Sequence, residues 1–278
     1  MAMRPQARRI LSRLGSRSIR RAGRDLCLRL AVIVAAAPLA AEAGELARDN
    51  TISGQFPNWP VEIHSAQFTH PTTDYSHGVL GDAVEWSGLR YSLVGKDQVT
   101  SKMDVRLPED HVFEDLAPRL VDLNLDGHPD AVMVVETDMA RGAALALYGA
   151  DGKIAETPHI GRTNRWLAPI GAGDLDGDGR VELAYIDRPH LAKTMRIWRF
   201  DAGKLREVAT QQGLTNHRIG DDFITSGLRV CAKGPELVTV DGNWRRLVAN
   251  QLLDEQIISR DIGAFTGLAS LQAALDCQ

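Results

Sequence analysis

The sequence predicts an all-β protein built from a repeated unit of about 50 residues, and three observations support this. From about Val61 onward, short apolar or alternating runs are broken by Gly, Asp, Asn and Pro. None of these runs has a helical period before the C-terminal tail. Two stretches rich in alternating acids also recur at a fixed offset, each leading into an apolar run. Together these features indicate strands in repeated copies.

The predicted strands are the apolar runs, whose lengths of six to eight residues are typical of strands. They are RYSLVG (90–95), DAVMVVE (130–136), AALALYG (143–149), VELAYID (181–187), MRIWRF (195–200), PELVTVD (235–241) and WRRLVANQ (244–251). The tail FTGLASLQAALD (265–276) predicts one short helix.

The repeat is visible in two central copies. Residues 121–136 align with residues 173–187, placing Asp122 against Asp174 at an offset of 52. Downstream, residues 144–154 align with residues 195–205, placing Gly152 against Gly203 at an offset of 51. Each copy contains an acidic loop, two strands, a tight Asp/Gly turn and a third strand. Residues 76–95 and 235–257 resemble outer copies that keep strands but lack the alternating acids.

Units of this size, with three or four strands each, are typical of β-propeller blades. The length of the chain predicts about four to five blades over residues 61–278, after a polar lead-in at residues 44–60. A β-sandwich is the alternative, but it does not explain a loop and a hairpin that recur at the same offset.

The two acidic loops predict cation sites. Their spacings are D-x-N-x-D-G-x-x-D from Asp122 and D-x-D-x-D-G-x-x-E from Asp174. A hard cation such as Ca²⁺ takes six to eight oxygen ligands, which alternate side chains of a curled loop can supply. The backbone carbonyls of His128 and Arg180, at the seventh position, would add one each. A solvated, turn-rich loop is the alternative for each stretch taken singly.

An EF-hand is excluded, because the twelfth position is Met133 in one loop and Tyr185 in the other, and strand-like residues follow each loop. Residues 173–187 instead resemble the FG-GAP or VCBS repeats of integrin-alpha-type β-propellers, GDxDGDGxxD followed by a blade strand, and residues 121–136 match with Asn124 in place of an acid. The resemblance covers roughly residues 114–214 and implies Ca²⁺ as the cofactor. The implied side-chain ligands are Asp122, Asn124, Asp126, Asp130, Asp174, Asp176, Asp178 and Glu182.

The N-terminus predicts a secretory signal at residues 1–43. A basic region is followed by an apolar run of about 11 residues, LAVIVAAAPLA, and by AEA, which predicts cleavage after Ala43. The apolar run is short for a membrane span, so an uncleaved anchor is the less favoured alternative. Arg20-Arg21 weakly resembles a twin-arginine signal. We therefore expect a periplasmic or secreted protein with no membrane span after cleavage.

Cleavage changes the charge and the cysteine count. Residues 1–43 hold nine arginines and two acids, which leaves 23 basic and 34 acidic residues, a net charge of about −11. An acidic surface argues against nucleic acid or an anionic membrane as the partner. Cys231 and Cys277 remain, and in an oxidising compartment they predict one disulfide that holds the C-terminal tail. Two free thiols are the alternative.

Histidines are the other candidates for chemistry. HPTTDYSH contains His70, Asp74 and His77, and TNHRIGDD contains His217, Asp221 and Asp222. Neither cluster has a metal-ligand spacing, so hydrogen-bonded histidines are favoured unless the two clusters converge in a channel. For Trp166, Trp198 and Trp244, packing between blades is favoured over a sugar platform.

No nucleophile motif, H-E-x-x-H motif or phosphate-binding glycine loop is present in the sequence. This absence favours a monomeric interaction module for a protein or glycan, with structural calcium and no catalytic residues. The alternative is a periplasmic hydrolase that uses histidines and acids in the channel.

Overall fold

The computed structural model describes residues 61–75, 77–95 and 99–278. The predicted signal, its cleavage site and the lead-in at residues 44–60 lie outside the described residues. Within those residues the chain is all-β, with seventeen strands and one short C-terminal helix, as the sequence predicts. No helix in this part of the chain is long and apolar enough to cross a membrane.

The first sheet has eight strands, ordered β1-β2-β4-β6-β7-β8, with β3 on β2 and β5 on β6. Its strands are β1 Val61–Thr72, β2 Glu85–Gly95, β3 Thr100–Arg106, β4 His111–Phe113, β5 Arg119–Val121, β6 Ala131–Asp138, β7 Gly142–Gly149 and β8 Gly152–Glu156. All described strand pairs in this sheet are antiparallel.

The second sheet has four strands in the order β12-β11-β10-β9, and the third has five in the order β13-β15-β16-β17, with β14 on β15. The second sheet contains β9 Leu167–Gly173, β10 Glu182–Asp187, β11 Thr194–Asp201 and β12 Lys204–Gln212. The third contains β13 Leu214–Thr215, β14 Gly227–Cys231, β15 Gly234–Asp241, β16 Arg246–Leu253 and β17 Gln256–Ala264. Each predicted strand run coincides with one of these strands.

The repeat predicted from the sequence has a counterpart in strand order. Strands β5 to β8 and strands β9 to β12 form the same four-stranded antiparallel meander, and β14 to β17 repeat it a third time. The expectation of separate units is not met at the N-terminal side. There the three-residue β4 pairs with β6 and, through Trp86 and Phe113, with β2, so two units share one sheet.

The core explains why the central strands are continuous apolar runs. Met133 and Val135 of β6 pack in a cluster with Leu183 of β10, whereas Val132 and Val134 pack with side chains of β1 and β2. Both faces of β6 are therefore buried. Likewise, β10 contacts the first sheet on one face and the third sheet on the other, through a second cluster. Strands buried on both faces lose the apolar–polar alternation of a half-exposed strand.

The C-terminal tail is held to the third sheet, as predicted. Helix α1, Leu268–Leu275, buries Leu271 and Ala274 against that sheet. The Arg229 guanidinium donates to the Ala274 carbonyl, and a Cys231–Cys277 disulfide joins β14 to the residues after the helix. The predicted disulfide is thereby confirmed.

Candidate metal centre

The two acidic loops adopt the same backbone conformation immediately before β6 and β10. At the sixth position, Gly127 and Gly179 have φ of 92° and 81°. At the fourth position, Leu125 and Gly177 have φ of 61° and 80°. A leucine in the left-handed region is uncommon, and the buried Leu125 side chain is held there by its place in the main core cluster.

The same hydrogen bonds hold both loops, at the constant offset of 52 residues. The sixth-position amide donates to the first-position carboxylate, at 2.8 Å for Gly127 to Asp122 and 3.0 Å for Gly179 to Asp174. The equivalent bonds also tie the third, fifth and ninth positions to amides of their own loops. These bonds curl the chain and hold the carboxylates in place.

The first loop holds three carboxylates and an amide oxygen without a basic partner. Asp122, Asn124 and Asp130 are 1%, 5% and 3% exposed. In the part of the chain that the structure describes, no Lys or Arg forms an ion pair with these acids. Asp130 Oδ1 accepts from the Leu123 amide at 2.8 Å, but the buried Oδ2 has no hydrogen-bond partner. An unpaired buried carboxylate oxygen is costly and suits a bound cation.

Electrostatics agree with this description of the first loop. Burial, followed by the charges of Asp122 and Asp126, raises the pKa of Asp130 to about 6. Burial also raises the pKa of Asp122. Both shifts are those of carboxylates that lack a neighbouring positive charge.

The second loop contains a positive charge supplied by the protein. One ligand atom each from Asp174, Asp176 and Glu182 lies within 4.8 Å of the other two. The guanidinium of Arg199 enters this group from β11, donating from Nε to Glu182 at 2.5 Å and from Nη2 to Asp176. Asp178 is bonded by the exposed Arg180 through Nη2 at 2.5 Å.

The pKa values in the second loop reflect both burial and the arginines. Burial raises the pKa of Glu182 to about 7 despite the bond from Arg199. Burial also acts to raise the pKa of Asp178, but the bond from Arg180 and the charge of Arg199 lower it overall.

The two loops therefore differ in how their acids are compensated, because only the second brings its carboxylates together around a positive side chain. The first loop has a buried oxygen without a hydrogen-bond partner, Asp130 Oδ2, whereas the corresponding Glu182 oxygen is bonded to Arg199. The His128 side chain points to Glu62, with Nδ1 3.4 Å from Oε2, and is not among the other loop donors. The predicted carbonyl ligands of His128 and Arg180 stay predictions.

The two histidine clusters predicted from sequence converge only in part. His70 is exposed near the end of β1, and Asp74 accepts from the Thr72 hydroxyl at 2.6 Å. His77, by contrast, pairs through Nδ1 with the fully buried carboxylate of Glu114. His217 donates from Nε2 to the Asp221 carbonyl at 2.9 Å rather than to an acid side chain, and Asp222 is exposed.

A third histidine, not anticipated from sequence, completes this group. His190 Nε2 lies 3.1 Å from His217 Nδ1, and His77 and His190 line the same cavity of about 170 Å³. Burial and the nearby His217 lower the pKa of His190 to about 4, so it is a neutral imidazole at neutral pH. The only sequence signal for His190 was its position just after a strand that follows an acidic loop.

Two of the three tryptophans are buried in the core, and Trp244 is half-buried. Trp166, just before β9, and Trp198, within β11, are buried in the main core cluster. Trp166 Nε1 donates to the Glu114 carbonyl at 2.8 Å, and its ring lies 4.9 Å from that of His217. Trp244 contacts Phe265 and the Arg218 guanidinium.

The acidic loops lie in a segment that matches a known repeat family. Residues 122–185 match the FG-GAP-like repeat. This FG-GAP-like segment runs from Asp122 of the first loop to Tyr185 of β10, and includes every loop side chain discussed above. The resemblance predicted from the two loops is confirmed for this segment.

Two solved structures are similar to this chain. The crystal structure of Porphyromonas gingivalis dipeptidyl peptidase 4 has 10% identity and a TM-score of 0.38, and the similarity covers 81% of this chain and 32% of that one. This chain thus spans about a third of the peptidase chain. A protein from Lactobacillus plantarum has 13% identity and a TM-score of 0.32, with 73% and 67% of the two chains covered. No curated protein matches the sequence.

Proposed function

We propose that the chain is an exported, monomeric β-propeller repeat protein that binds Ca²⁺ for structure and acts as an interaction module for a protein or glycan. The propeller is supported by three meanders of the same strand order and by the FG-GAP-like segment. The second sheet also supports the propeller, because its inner strands β10 and β11 pack against other side chains on both faces, as neighbouring blades require.

The main observation that supports calcium binding is that Asp130 Oδ2 has no hydrogen-bond partner. This oxygen belongs to a side chain that is 3% exposed, and it lies in a loop whose described residues form no ion pair with Lys or Arg. Asp122, Asn124, Asp126 and Asp130 supply the oxygens that Ca²⁺ prefers. When bound, the ion would neutralise these carboxylates and so stabilise the junction before β6.

Thermal unfolding with chelator and with Ca²⁺ tests the proposal. Calcium at 100 times its Kd adds about 2.7 kcal/mol, which for a chain of this size raises Tm by about 5–10 °C. Asp130→Asn keeps the Oδ1 acceptor for Leu123 but removes the charge, so the variant should lose this rise while staying folded in chelator. Asp151→Asn, in an exposed turn, is the matched control. An equal Tm in chelator and in Ca²⁺ would exclude the calcium site.

The interaction role is tested with the same pair of variants. A partner from periplasmic extract should be retained by the wild type in Ca²⁺, and retained more weakly in chelator or by Asp130→Asn. If the partner is retained equally by the wild type in Ca²⁺, by the wild type in chelator and by Asp130→Asn, binding of the partner does not depend on the calcium site.

A second candidate function is a periplasmic hydrolase, favoured by the convergence of His77, His190 and Glu114 near one cavity. A neutral His190 has one unprotonated ring nitrogen, although a pKa of about 4 makes it a weak base at neutral pH. Hydrolysis of a chromogenic ester that is lost in His190→Gln but kept in His64→Gln, at an exposed site, would favour this function. Equal background rates for both variants would exclude it.

A further inference from the structure

Three side chains outside the acidic loops converge at the opposite end of β6. A ligand atom from each of His111, Asp138 and His159 lies within 4.8 Å of the other two. His111 and Asp138 are direct cross-strand partners in β4 and β6. His159 follows β8, and its Nδ1 lies 2.7 Å from the carbonyl of Gly142, which pairs with Asp138. The strand register therefore builds the cluster from three separate parts of the sequence.

Both histidines are held by a hydrogen bond on Nδ1. His159 Nδ1–H donates to the Gly142 carbonyl, and His111 Nδ1–H donates to Asp110 Oδ1 at 2.7 Å. These bonds fix the tautomers and leave the Nε2 lone pair of each ring free. A histidine that ligates a metal almost always has such an outer partner, either a carbonyl or a carboxylate.

The carboxylate is also fixed in place. Asp138 Oδ1 accepts from the amides of Ala140 at 2.8 Å and Arg141 at 2.9 Å. Its Oδ2 lies 3.7 Å from His111 Nε2, close to the separation of about 3.3 Å between two donors on a tetrahedral zinc ion. Among the described residues, Arg141 would compete with a metal for Asp138 Oδ2, because its Nε lies 2.6 Å from this oxygen. The Arg141 side chain is 60% exposed, however, and can turn towards solvent.

We propose that His111 Nε2, His159 Nε2 and Asp138 Oδ2 form a binding site for Zn²⁺. Two imidazole nitrogens and one carboxylate suit a borderline transition metal, whereas Ca²⁺ prefers an all-oxygen shell. Three protein ligands leave the fourth position to water, the arrangement of zinc sites that carry out chemistry. His111 and Met139 also line a cavity of about 470 Å³, which gives the site an approach from solvent.

Titration of the metal-free protein with Co²⁺ and Zn²⁺, in excess Ca²⁺ to saturate the first acidic loop, tests the site. One equivalent of Co²⁺ should give the visible absorption of a tetrahedral nitrogen–oxygen site, and Zn²⁺ should displace it. His111→Ala and His159→Ala should each weaken binding more than about 100-fold, and Asp110→Asn about 10- to 100-fold. His64→Ala, in an exposed part of β1, should leave binding unchanged.

Arg141→Ala separates a metal site from a structural cluster. Removing the guanidinium frees Asp138 Oδ2, so metal binding should tighten although a salt bridge is lost. The proposal is overturned if no variant of the cluster changes Co²⁺ affinity, if His64→Ala weakens binding as much as His159→Ala, or if Arg141→Ala weakens it. Melting in the absence of Co²⁺ and Zn²⁺ confirms that each variant is folded, so that a loss of binding is not a loss of structure.

Discussion

Replacing Arg199 with alanine tests whether the second acidic loop is neutralised from within the protein. The Arg199 side chain is 4% exposed and bonds to Glu182, which is fully buried, and to Asp176. Removing the guanidinium leaves these two carboxylates beside each other without a positive charge. The expected result is a large loss of stability that external Ca²⁺ can repair.

The magnitude follows from the burial of the ion pair. Breaking a buried pair by removing one partner costs about 3–5 kcal/mol, because the remaining charge stays desolvated. If the vacated loop then binds Ca²⁺ as the first loop is proposed to do, an ion concentration of 100 times Kd returns about 2.7 kcal/mol. Arg199→Ala should therefore gain more from Ca²⁺ than the wild type gains.

Urea unfolding in mildly alkaline buffer, with chelator and with Ca²⁺, measures both effects. Arg206→Ala is the matched control, because both Arg199 and Arg206 form ion pairs with Glu255 but Arg206 is exposed, so its loss should change stability little. If Arg199→Ala is as stable as Arg206→Ala in chelator, the guanidinium does not neutralise the loop. If its gain from Ca²⁺ is no larger than that of the wild type, the second loop is not a latent calcium site.

Two other predictions concern the stability of the fold. Replacing both Cys231 and Cys277 with serine should reduce the free energy of unfolding by about 4 kcal/mol, since the bond closes a loop of 46 residues; a loss below about 1 kcal/mol in urea would contradict this. Burial, then the charges of Glu114, Asp82 and Asp115, raises the pKa of Glu85 to about 9. The proton on this carboxyl stabilises the fold fully below about pH 4.5, and that contribution is lost as pH rises towards 9. Glu85→Gln should therefore be more stable than the wild type at pH 7, by up to about 3 kcal/mol, and equal to it in acid; a variant that is less stable at pH 7 would refute the shift.

Much of the fold could be predicted from the sequence because it is encoded locally. Each apolar run became a strand, and the offset between copies reappears in the hydrogen bonds of the two loops. The disulfide was predicted because Cys231 and Cys277 are the two cysteines that lie beyond the predicted signal. The sharing of one sheet by two units could not be predicted, because it depends on the three-residue β4, whose pairing with both neighbours has no signal in periodicity.

The candidate sites were predictable only where their residues are close in sequence. The loop donors fall within nine consecutive positions, and spacing alone identifies them. Arg199 reaches Glu182 through the register of β10 and β11, and His111 reaches Asp138 through that of β4 and β6. Leu125 shows a further difficulty. This buried leucine adopts the left-handed conformation at a position where the second loop has Gly177. A search that requires glycine at this position would miss the first loop.

Strand β6 gives the two candidate ion sites of the first sheet a mechanical link. Asp130 precedes its first residue and Asp138 is its last, so the sites lie about 26 Å apart along one extended segment. Every residue of β6 is buried, and strands pair with it along both edges. Such a segment has little room to buckle, so a displacement along its axis at one end has to be accommodated at the other. Because hydrogen bonds fix the carboxylates of the first loop at one end and Asp138 at the other, the strand holds the two candidate sites at a set distance.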